Sequence, residues 1–137
     1  MNELRGITLH MKYYALVVTF VLMWACSDKV NSNNGSIGFS EEKHDFGKLP
    51  FKKEAMYSFE FSNTGKSMLV IYDVKTSCGC AVPEWTKKPI RPGKKGQLRI
   101  KYDAGYSGVF HKTAEVFYNG PGSPVKLEIE GEVEEVN

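Results

Sequence analysis

The chain has 137 residues, 42% of them hydrophobic and 25% charged, and its 18 basic and 16 acidic residues leave a net charge of +2 at pH 7. From so balanced a charge no general affinity for polyanions follows. The length is one domain's worth, enough to bury a single core without covalent staples.

The first element is Tyr13 to Ala25 (YYALVVTFVLMWA), uncharged and apolar apart from Thr19, preceded by Lys12 and ended by Cys26. As a helix it would run about 20 Å, short of the ~30 Å hydrocarbon core, so it does not read as a transmembrane span. A charged start, a short apolar stretch and a small residue before a cut describe a secretory signal. With Cys26 directly after Ala25 and the polar run SDKVNSNNGS beyond, the segment resembles a bacterial lipoprotein signal. That resemblance implies removal of residues 1–25, with Met11 as an alternative start, and lipidation of Cys26. The product would be an extracytoplasmic protein held to a bacterial membrane by its lipid. Residues 26–36 then read as the lipidated cysteine and a flexible tether, and residues 37–137 as the folded domain. With Cys26 so used, Cys78 and Cys80 are left as a pair where disulfides can persist.

The remaining elements read as strands. Ile37 to Phe46 is a first segment; in Tyr57–Ser62, aromatics alternate with polar residues before the turn Asn63–Lys66. Met68 to Thr76 is apolar at successive positions early on, as in a strand covered on both faces or twisted at a bulge. A short piece surrounds Val82, and Arg91-Pro92-Gly93-Lys94 has Pro and Gly at the centre of a type II turn. Leu98, Ile100 and Tyr102 then alternate with polar partners. Phe110, Ala114, Val116 and Tyr118 share one side of the next segment, opposite His111, Thr113 and Glu115. After the turn NGPGSP, Val125, Leu127, Ile129 and Val133 face inward, and Lys126, Glu128, Glu130, Glu132 and Glu134 face outward. No stretch after residue 36 has helical periodicity. About seven strands with turns between them predict an immunoglobulin-like antiparallel β-sandwich without an inter-sheet disulfide, since Cys78 and Cys80 are too close to join two sheets.

The segments HDFGKL, FEFSNTGKSMLVIYDVKTSCGCAVPEW, KPIRPGKKGQLRIKYD, SGVFHKTAEVFYN and LEIEGEV, read together, resemble the bacterial DUF1573 family over residues 37–133. That family is similar in turn to the Hydin-like and major-sperm-protein-like immunoglobulin folds. The resemblance implies the fold and a secreted or lipid-anchored setting. It implies no activity, because none is established for the family.

The pair Cys78-Gly79-Cys80 carries the chemistry most open to interpretation. Cα atoms two residues apart reach the ~4.4–6.8 Å a disulfide needs if Gly79 takes up a tight geometry. So small a loop would stabilise weakly, and an exposed, labile bond would suit thiol–disulfide exchange. The basic run Lys87, Lys88, Arg91, Lys94 and Lys95 could lower the pKa of a nearby thiol. Two thiolates would also suit Cu(I) or Zn²⁺, but His44 and His111 stand in no ligand-spaced motif, so no metal site is expected. The plainest reading is that the motif turns the chain out of its strand, with the cysteines buried or joined locally and Trp85 covering an edge. No Ser/His/Asp set, paired carboxylates, phosphate-binding loop or nucleic-acid pattern is evident. The sequence therefore predicts a cofactor-free, non-catalytic binding or scaffolding module of the cell envelope. Its partners would be the membrane, through lipid, and an envelope protein met at Trp85, Lys87, Lys88 and Arg91. A thiol-redox or metal-handling protein centred on Cys78 and Cys80 is the alternative.

Overall fold

The structure is a computed structural model and describes residues 34–135. The expected signal segment, Cys26 and most of the expected tether lie outside the described residues. Eight strands follow in chain order: β1 (Ile37–Phe39), β2 (Lys43–Pro50), β3 (Ala55–Asn63), β4 (Ile71–Thr76), β5 (Ala81–Trp85), β6 (Lys95–Tyr102), β7 (Gly108–Tyr118) and β8 (Val125–Glu134). They form two four-stranded sheets, ordered β1-β3-β6-β5 and β2-β8-β7-β4. The immunoglobulin-like sandwich expected from the alternation is present.

Alternation puts one face of each central strand in the core. Phe59 and Phe61 of β3, with Leu98, Ile100 and Tyr102 of β6, are buried against Phe110 and Val116 of β7 and Leu127, Ile129 and Val133 of β8. Each such side chain contributes roughly 1.5–3 kcal/mol by leaving water. Gly131 stands where β8 passes under Phe110: a Cβ there would lie 2.8 Å from the Gly47 carbonyl oxygen and 3.0 Å from the Phe110 ring.

Two details go beyond the sequence. Ile37 to Phe46 is not one strand, because the chain changes sheets at Ser40–Glu42. β1 pairs with β3 in the first sheet, whereas β2 runs parallel to β8 in the second. Among the described residues the sandwich therefore has eight strands and one parallel pair among antiparallel ones. The apolar run Met68–Ile71 also divides: Leu69 bridges Ile90 of the β5–β6 loop, and Ile71 opens β4 with an irregularity between Ile71 and Asp73. Successive apolar residues arise because the chain crosses between layers there.

The strands give the molecule two ends. At the proximal end, Gly35 and Ser36 lead into β1 beside the β3–β4, β5–β6 and β7–β8 connections. Asn63, 1% exposed, knits that end together. Its Nδ2 donates to the carbonyls of Ser67 (2.7 Å) and Ile90 (2.8 Å), and its Oδ1 accepts from the Gly65 and Ser36 amides. Asn119 likewise donates to Met68 O and accepts from Val70 N–H. The distal end carries the β2–β3, β4–β5 and β6–β7 connections.

Candidate functional site

Cys78 and Cys80 lie in the β4–β5 turn at the distal end and are joined by a disulfide, with Cα atoms 5.2 Å apart. Hydrogen bonds seat this turn on both sheets. Ser77 N–H donates to Thr113 O (2.9 Å) and Thr113 N–H to Ser77 Oγ (3.1 Å), while Asp103 N–H donates to Cys80 O (3.1 Å). Thr76 Oγ1 donates to Cys78 O (2.9 Å) and closes the turn from inside. Gly79 does not take up a left-handed conformation, and a Cβ on it would meet open space. The local ring therefore does not demand glycine, contrary to the sequence expectation. Gly108, at φ +106°, does need to be glycine; it turns the chain from the β6–β7 loop into β7.

The disulfide lines a cleft of about 740 Å³ shared with Tyr102, Asp103 and the segment Tyr106–Lys112. Tyr102 and Phe110, stacked at 4.1 Å, provide its buried apolar side. Tyr106 and Val109 stand exposed at 79% and 84%, the most exposed large apolar side chains among the described residues. His111 belongs to the cleft and faces Glu128, with Nε2 3.0 Å from Oε2. Glu128 also takes the Lys126 ammonium at 2.7 Å. The Lys126 hydrogen bond foremost, then that of His111, holds its carboxyl down from 4.5 to about 2.

Trp85, Lys87, Lys88 and Arg91 are brought together, but at the proximal end. β5 carries the chain about 17 Å from the disulfide turn to Trp85, so the basic run does not sit beside the cysteines as a thiol activator would. Trp85 is half-buried and packed against the core, its Nε1 buried without a hydrogen-bond partner among the described residues. The Lys87 ammonium lies over its ring, 2.9 Å from the centroid. The loop beyond is pinned rather than loose. Leu69 and Ile90 exchange backbone bonds of 2.9 and 2.8 Å, Gly93 N–H donates to Asn63 O, and Lys94 N–H closes the Arg91–Lys94 turn with Gly93 at φ +73°.

Sequence reasoning missed Asp103, Tyr106, Val109 and His111 as cleft residues. The one local sign was an aromatic residue inside the glycine-bearing stretch DAGYSG. Among the described residues, no three His, Cys, Asp or Glu side chains gather in a way that would hold a metal ion.

Several solved structures share this fold. A protein of unknown function from Porphyromonas gingivalis W83 aligns with a TM-score of 0.67 and 18% identity, over 78% of this chain and 51% of that one. The chain thus spans about half the length of that relative. The ASH / PapD-like domain 7 of human CEP192 aligns with a TM-score of 0.65 and 7% identity, over 81% and 94% of the two chains. The VesB protease of Vibrio cholerae aligns with a TM-score of 0.55 and 15% identity, over 74% of this chain and 32% of the protease. At such identities the likeness is one of fold alone. No curated protein matches the sequence. Residues 37–133 match the family described as protein of unknown function (DUF1573), and the chain belongs to that family.

Proposed function

We propose that the protein is a non-catalytic module of the bacterial cell envelope, anchored by lipid on Cys26, that binds a protein partner through the cleft at its distal end. The observation that carries this reading is the placement of exposed Tyr106 and Val109 beside a cleft of about 740 Å³, at the end of the sandwich away from Gly35. An anchored module would present that end outward. Exposed aromatic and apolar side chains at a concave end are what an interface core recruits. Tyr106→Ala with Val109→Ser should lose partner capture from envelope extracts while the melting temperature holds. Unchanged capture would remove the cleft from consideration. Anchoring has its own test: intact-mass measurement should find acyl chains on Cys26, and Cys26→Ala should abolish them.

A second reading rests on the disulfide being half-exposed in that same cleft. A partner thiolate attacking one sulfur would form a mixed disulfide and release the other cysteine as a thiolate. In a single Cys78→Ser or Cys80→Ser variant the remaining thiolate can only attack a partner's disulfide, releasing a partner thiolate, and a mixed disulfide accumulating by that reverse step would favour exchange. Partner binding undiminished in the double variant would favour the binding module.

A further inference from the structure

The proximal end has an uncompensated charge. Its turns, residues 64–70, 86–94 and 119–124, contain Lys66, Lys87, Lys88, Arg91 and Lys94 and no Asp or Glu. All of these cations are exposed, and none lies within ion-pair distance of a carboxylate among the described residues. The neighbouring Lys95, by contrast, is paired with Glu60 at 3.5 Å. At the distal end the corresponding segments mix signs, with Lys52 and Lys53 beside Glu54, and Asp103 in the β6–β7 loop. The net charge of the whole chain hides this asymmetry.

The basic loop is held in place by Ile90, buried and bonded to Leu69, and by the Arg91–Lys94 turn. Its cations are therefore offered from a fixed scaffold, and little order has to be gained on binding. Met68, 45% exposed, adds an apolar side chain at the same end.

The chain itself joins the domain here. A Cβ on Gly35 would lie 2.7 Å from Leu69 Cα, and one on Gly120 would lie 2.0 Å from Gly35 O, so the segment leading into β1 is tightly seated among these turns. From Cys26 to Gly35 the backbone can span at most about 30 Å. We infer that the proximal end docks on an anionic phospholipid surface through Lys66, Lys87, Lys88, Arg91 and Lys94. The inference rests on the anchoring proposed above for where the membrane lies, but the charge recognition is separable from the lipid. Docking would fix the module's orientation and hold the disulfide cleft away from the bilayer.

The test uses the full chain carrying Cys26→Ser, so that no lipid contributes. Flotation compares vesicles of phosphatidylcholine alone with vesicles of phosphatidylcholine mixed with phosphatidylglycerol. The apolar segment before Cys26 is common to every variant, so the readout is the preference for anionic vesicles. One Lys or Arg near such a surface is worth roughly fivefold in partitioning. Lys87→Gln/Lys88→Gln/Arg91→Gln should therefore reduce the preference by about a hundredfold. Raising salt from 0.1 M towards 1 M should erase it, as the screening length shrinks from about 10 Å to about 3 Å. Lys52→Gln/Lys53→Gln at the distal end should leave it intact. A preference that survives the triple substitution, or falls equally with the distal pair, would overturn the inference. Intact-mass measurement on Cys26 reports separately on anchoring, so failure of one does not imitate failure of the other.

Discussion

Trp85 shows how one side chain can be read in two ways until its surroundings are known. It pairs across to Leu98 on the edge of the first sheet, packs against the core, and carries the Lys87 ammonium on its outer face. Truncating a fully buried Trp costs about 3–5 kcal/mol, so a half-buried one should cost about 2 kcal/mol. Trp85→Ala should lower the melting temperature by roughly 10 °C. Lys87→Ala, which gives up only a surface cation–π contact, should change it little. A Trp85→Ala domain that melts like the wild type would return the residue to the candidate partner contacts. Glu128 makes a second prediction at this scale. Its carboxyl is ordinary at 4.5 when unfolded and held at about 2 when folded, chiefly by Lys126 and then by His111. A depressed folded value stabilises the protein fully above pH 4.5, and that contribution drains away as pH falls towards 2. Thermal melts across that window should show the wild type losing stability more steeply than Glu128→Gln. Parallel curves would mean that the cluster does not persist in solution.

Among the elements, β3, β6 and β8 were legible in the sequence because each alternates cleanly between a dry and a wet face. The Arg91–Lys94 turn was legible because only glycine sits easily at its third position. β1 and β2 were not separable: a three-residue strand and an eight-residue strand are joined by polar residues, and nothing local says that they pair in different sheets. The disulfide cleft was half legible. Its cysteines announce themselves, but Asp103, Tyr106 and His111 come from segments that meet Cys78 and Cys80 only through sheet pairing. The turn that carries the disulfide is also held by backbone bonds to Thr113 and Asp103. For a closed loop of three residues the chain-entropy relation gives no more than about 1.6 kcal/mol. Reduction should therefore lower the urea midpoint by no more than about 1 M. A loss of several kcal/mol would make the disulfide a staple of the distal end.

At the scale of the molecule, the fold sorts its exposed chemistry by position. Cations without an ion-pair partner among the described residues gather at the end where the chain joins, and a cleft with exposed apolar side chains opens at the other, with the sandwich core between them. A binding module that holds one end to a surface and offers the other to a partner needs this polarity. Partner binding at the distal cleft is open to test by site-specific photo-crosslinking in intact cells. A photoreactive residue at Tyr106 should give one discrete protein adduct. The same group at Tyr72, 65% exposed on β4 and outside the cleft, should give none. An adduct from Tyr72 with none from Tyr106 would place the partner on the sandwich face and not in the distal cleft.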